Sequence, residues 1–125
     1  MSRPNNPVGW FEIPVTDMAR AKSFYETVFK VKLEDSRMEN FDLAMVPMQD
    51  KAPGAPGCLI KGEICMPSQD GVLIYFTTLD LDSTIQCASD NHGTVLLNRT
   101  GIGEYGFIAI LLDTEGNRIG LHACD

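Results

Sequence analysis

Positive charge is scarce in this 125-residue chain: 10 lysines and arginines stand against 17 aspartates and glutamates, a formal net charge of −7. Phosphate backbones and anionic lipid surfaces are gripped by basic patches, so neither nucleic acid nor membrane is an expected partner. Long apolar runs are missing as well, none approaching the ~18 residues of a membrane-spanning helix. The opening MSRPNNPVGW lacks the apolar stretch of a secretory leader, which makes a reducing, cytoplasmic setting the expectation. Cys58, Cys65, Cys87 and Cys124 contain no C-x-x-C spacing. They are expected as free thiols that behave as small hydrophobes. Asn98-Arg99-Thr100 spells a glycosylation acceptor but, without a secretory route, carries no implication.

What the chain does have, 44% hydrophobic and 22% charged residues, suits a soluble globular fold. Its length is enough for one core, and a single domain over residues 1–125 is expected. Gly9 to Val15 alternates as a strand, with Trp10, Glu12 and Pro14 on one side and Phe11, Ile13 and Val15 on the other. The period then turns helical through Met18, Ala21, Phe24, Tyr25, Val28 and Phe29, with Thr16 or Asp17 as N-cap. Extended stretches follow near Leu33–Asp35, Phe41–Met48 and Gly57–Glu63. The pattern restarts with a strand at Val72–Thr78, a helix from about Asp82 to Asn91, and strands near Thr94–Leu97, Phe107–Leu112 and Arg118–Ala123.

A shift of 63 residues lays Trp10 over Leu73, Glu12 over Tyr75, Asp17 over Asp80 and Met18 over Leu81. The chain reads as two β-α-β-β-β modules, about 7–65 and 71–125, an α+β fold. His92 and Gly93 fall where the second helix should end, with Gly93 as the left-handed cap. Gly101 to Gly106 matches G-x-G-x-x-G but precedes a strand and opens no helix, so it is not a dinucleotide site. Asp113, Glu115, Gly116 and Asn117 are expected to form the turn between the last two strands.

Three segments, WFEIPVTDMARAKSFYETVF, LDLDSTIQCASDNHG and LLDTEGNRIGLH, together resemble the vicinal oxygen chelate superfamily, which includes glyoxalase I, bleomycin-resistance proteins and extradiol dioxygenases. More narrowly the chain resembles the single-domain lactoylglutathione lyase-related group. The resemblance implies a curved, partly closed mixed sheet around a cavity. It also implies a homodimer, because modules of this kind complete one another across subunits. In the metal enzymes of the superfamily each module supplies one ligand from its first strand and one from its closing strand. Those positions fall here on Trp10, Leu73 and Gly120, with the fourth near Gly57 or Leu59. Three of them carry side chains that cannot ligate, so no cofactor is expected.

Strand parity puts Glu12 beside Trp10, and Tyr75 and His122 beside Leu73 and Gly120, so these six residues are expected to line one small-molecule cavity. Glu12 would then accept hydrogen bonds from His122, Tyr75 or Trp10 and only fix the sheet, form an acid/base pair with His122, or share a weakly held metal with it. Lys61 and Arg118 share the expected cavity parity and could hold an anionic group at its rim. The reading that follows is metal-independent binding of a small organic ligand. The alternative is a lyase or isomerase that uses Glu12 and His122 for proton transfer.

Overall fold

Both halves of the chain begin their helices in the same way. An aspartate in extended backbone accepts an amide from the first helical turn: Asp17 Oδ1 from Arg20 N at 3.0 Å, and Asp80 Oδ1 from Ser83 N at 3.1 Å. Such a cap is worth ~1 kcal/mol. In the computed structural model, which describes residues 8–125, the first module runs β1 (Phe11–Pro14), α1 (Met18–Phe29), β2 (Glu34–Met38), β3 (Phe41–Val46) and β4 (Gly57–Lys61). The second runs β5 (Tyr75–Thr77), α2 (Leu81–Asp90), β6 (Thr94–Gly101), β7 (Phe107–Leu112) and β8 (Arg118–Ala123).

The end of α2 differs from expectation by one residue. His92, not Gly93, takes the left-handed backbone, with φ 75°, while the Gly93 amide reaches back to the Ala88 carbonyl at 2.8 Å. Glycine is needed next to it because a Cβ would press on the Ala88 carbonyl, the Phe24 ring and the Leu112 carbonyl. The glycine-rich stretch after β6 is a single 3₁₀ turn, Gly103–Tyr105, leading into β7.

Each module makes its own four-stranded sheet, in the orders β1-β4-β3-β2 and β5-β8-β7-β6. The first strand lies parallel to the closing strand and the rest are antiparallel, so each sheet is mixed. The two sheets remain separate and form no closed barrel. Their helix-side positions share one core: Ile13, Ala44 and Leu59 from the first sheet, Ala109, Leu111, Ile119 and Leu121 from the second, with Phe24 and Tyr25 of α1 and Leu81 and Ile85 of α2. Phe76 of β5 crosses the boundary, edge-on to Phe11 at 5.6 Å and tilted on Phe29 at 4.6 Å. Each fully buried leucine or phenylalanine contributes ~2–3 kcal/mol, so this shared core is the main bond between modules.

A polar clasp supplements it. Residues 113–117 form the expected turn, with Asp113 Oδ1 accepting the Glu115 and Asn117 amides at 2.8 Å each. The same turn also reaches the first module. Glu115 Oε1 accepts the Thr16 and Asp17 amides at 2.8 Å, Asn117 Nδ2 donates to the Pro14 carbonyl at 2.8 Å, and Tyr25 donates to Asp113 at 2.6 Å. Asp113 and Asn117 are buried, and these bonds satisfy them.

Candidate functional site

Because successive strand residues alternate, the positions that do not enter the shared core point to the outer face of each sheet. On the first sheet that face carries Trp10 and Glu12 beside β1, Ser36 and Met38 on β2, Phe41, Leu43 and Met45 on β3, and Cys58 and Ile60 on β4. Together with Ile64 and Cys65 they line a cavity of about 450 Å³. Its floor is a second, smaller apolar cluster of Leu43, Cys58 and Ile60 with Phe41, Met45 and Cys65 against it. Its rim is exposed apolar surface, with Trp10, Met38 and Ile64 all open to solvent.

Glu12 is the one carboxylate among these residues, and it accepts no hydrogen bond and joins no ion pair among the described residues. It also lines a smaller, more polar cavity of about 190 Å³ between the modules, together with Ser68, Asp70, Asn117 and Arg118. Arg118 donates from Nη2 to the Gly71 carbonyl at 3.1 Å, and its Nε is buried without a partner. Opposite Glu12 in the β1–β4 register is Cys58. Burial first, then the nearby Glu12 charge and Cys65, pushes the Cys58 thiol up to about 11, so it stays neutral at physiological pH.

The remaining site residues expected from the sequence go elsewhere. Leu73 and Tyr75 line a groove of about 510 Å³ with Val8, Phe11 and the 53–55 loop. Gly120 does not open a space, because the Tyr75 ring lies directly on it and a Cβ there would collide with that ring. His122 donates from Nε2 to the Tyr105 carbonyl at 2.6 Å. It lies on the outer face of the second sheet, register partner of Ile108 and Thr77, and lines neither cavity that holds Glu12. Within one chain, therefore, Glu12 and His122 are not brought together.

Lys61 also departs from expectation. Leu59 is in the shared core, so Lys61, two residues on, shares the helix-side parity of Leu59 and is exposed at the end of β4, away from the cavity. The cavity positions of that strand are Cys58 and Ile60. The reason lies in the register: Glu12 pairs with Cys58 as Tyr75 pairs with Gly120, so the first strands repeat at 63 residues but the closing strands at 62. A one-residue difference exchanges the two faces of a strand. The register equivalent of Gly120 in the first module is consequently Cys58, and that is where the resemblance would put the fourth ligand. Trp10, Cys58, Leu73 and Gly120 together offer a single candidate donor, a neutral thiol, and no group of three or more histidine, cysteine, aspartate or glutamate side chains among the described residues could hold a metal ion. This donor set does not fit the divalent site of the metal enzymes.

Against known structures the chain aligns over nearly its whole length. An antibiotic-binding protein, TnmS3 from Streptomyces sp. CB03234, is 22% identical with a TM-score of 0.71, covering 99% of this chain and 100% of that one. A glyoxalase/bleomycin resistance protein from the same organism is 25% identical with a TM-score of 0.69, covering 91% and 97%. A glyoxylase/bleomycin resistance protein/dioxygenase domain from Frankia sp. EAN1pec is 12% identical with a TM-score of 0.74, covering 96% and 98%. No curated protein matches the chain. The superfamily sequence profile matches residues 8–121, and with the paired β-α-β-β-β modules this places the chain in the Glyoxalase/Bleomycin resistance protein/Dioxygenase superfamily.

Proposed function

We propose that the protein binds and sequesters a small organic molecule without a metal, using the cavity on the outer face of its first sheet. The observation that carries this reading is the cavity itself: about 450 Å³, within the range of drug-sized sites, walled by apolar, sulfur and aromatic side chains with few polar groups. The mapped ligand positions support it, since Trp10 and Cys58 furnish wall rather than a donor set. A protein of the same fold binds an antibiotic, and the proposal extends that kind of role to this chain.

The proposal includes a cytoplasmic homodimer. The outer faces are where a second copy would sit, and Trp10, Met38 and Ile64 are the apolar surface it would cover. The lyase or isomerase alternative depends on that dimer, because only the outer face of a second chain could carry His122 to Glu12.

Two titrations of chelator-stripped protein test the reading. In one, Ni²⁺, Zn²⁺, Mn²⁺ and Fe²⁺ are followed by calorimetry, with Glu12→Gln and His122→Ala as controls. In the other, a panel of drug-sized aromatic compounds is followed by thermal shift. Saturable binding of an organic compound, weakened by Trp10→Ala, is the expected result. Tight stoichiometric metal binding lost in both control variants would overturn it in favour of a metal-dependent enzyme.

A further inference from the structure

We infer that the ligand of the first-sheet cavity is an aromatic organic cation whose positive charge rests on Glu12; this builds on the binding reading above. The argument starts from the cost of covering the cavity. Trp10, Met38 and Ile64 make an apolar rim, and Glu12 is exposed beside Trp10 on the same strand face, so an occupant that fills the space comes to lie against Glu12 and takes its water away. A carboxylate taken out of water without a partner is penalised by several kcal/mol. Nothing in the described residues supplies that partner. Among the described residues Glu12 makes no hydrogen bond or ion pair. Arg118, which lines the adjoining polar cavity with Glu12, donates from Nη2 to the Gly71 carbonyl and makes no ion pair with Glu12. Cys58, directly opposite in the register, is a buried thiol.

A neutral apolar occupant would thus leave the carboxylate stranded, and an anion would be repelled by it. A cation resolves the conflict, since one positive group on the ligand turns an unpaired charge into a pair. The surroundings suit a flat, polarizable cation in particular. Trp10, two residues from Glu12 on the same strand face, can present an indole to the charge, and Met38, Met45 and Phe41 offer thioether and aromatic contacts to a ring system. The chain's net charge of −7 acts in the same direction at long range.

Two dyes with one ring system and different charge test this. At pH 7.5, 9-aminoacridine is a cation and acridine is neutral, and fluorescence titration gives the affinity of each for the full-length protein. The expected result is that the cation binds at least about tenfold more tightly, the discrimination of a sheltered charge pair. Glu12→Gln should bring 9-aminoacridine down to the level of acridine while acridine changes less than about twofold, and Trp10→Leu should weaken the cation severalfold. Circular dichroism of each variant confirms that the fold is retained. Equal affinity of the wild-type protein for the two dyes, or an indifferent Glu12→Gln, would overturn the charge assignment and leave the binding reading standing. Saturable binding of neither dye would overturn the cation assignment, and if the broader compound panel also fails, the binding reading goes with it.

Discussion

Arg20 and Glu115 form a two-point ion pair, Nε to Oε2 at 2.6 Å and Nη2 to Oε1 at 3.1 Å, that ties the start of α1 to the turn before β8. The same carboxylate also takes the Thr16 and Asp17 amides. It therefore acts as an N-terminal cap supplied from the other module, where a negative charge also favours the helix dipole.

Stability should fall in acid because of it. Burial alone would raise the Glu115 carboxyl, but the bonds from Arg20, Asp17 and Thr16 outweigh burial and hold it at about 2 against an ordinary 4.5. A depressed carboxyl stabilises the fold in full above about pH 4.5, and that contribution is lost as pH falls toward 2. Chemical denaturation across this window should show the decline in the wild type and a shallower one in Glu115→Gln. At neutral pH that variant should lose ~1–3 kcal/mol.

Tyr25→Phe should cost ~1–2 kcal/mol, since it leaves Asp113 short of one donor in a buried site. Burial and the adjacent Asp113 hold the Tyr25 hydroxyl well above its ordinary pKa, so at neutral pH it is a protonated donor. Asp113→Ala should cost more, ~3 kcal/mol or above, because it strands the Tyr25 hydroxyl, the Asn117 side chain and two turn amides together. Urea midpoints at constant slope would measure both.

Gly120→Ala should destabilise by ~1–2 kcal/mol by forcing the Tyr75 ring off the strand. The penalty should largely vanish when Tyr75 is also replaced by alanine. A double-mutant cycle reads the coupling, and a full penalty surviving in the Tyr75→Ala background would contradict the contact.

Thiol labelling should separate the cysteines. Cys124 is exposed and should react with a disulfide reagent at pH 8 well before Cys58, which is buried with its thiol at about 11. Cys65, which lines the cavity, should be protected by any compound that fills it.

Much of the fold was legible because it rests on short-range signals. The cap at Thr16 or Asp17, which the structure gives to Asp17, the helical period of α1 and the alternation of β1 and β8 are written in consecutive residues. The site was less legible, and one residue accounts for part of the gap: the closing strands repeat at 62 rather than 63, which moved Lys61 out of the cavity and put Cys58 into it. Parity also cannot say whether two outer faces look at each other. Glu12 and His122 occupy equivalent kinds of position, yet the shared core joins the modules through their helix-side faces and leaves those two residues on separate surfaces. Nor does a local pattern reveal that Glu115, placed in a turn by its neighbours, closes a helix in the other module.

That last contact separates its partners by 99 positions, and the pairing of Asn117 with Pro14 by 103. Ordering the start of α1 thus waits for nearly the entire chain. Until the last residues of the chain are made, the first module lacks both the cap from Glu115 and the core side chains that the second module contributes. Contacts of such span close slowly, since the intervening loop's entropy is given up before any stabilisation returns. A fragment ending before Asp113 should remain loosely packed, and native rigidity should arrive in one late step when the turn at Asp113 to Asn117 docks.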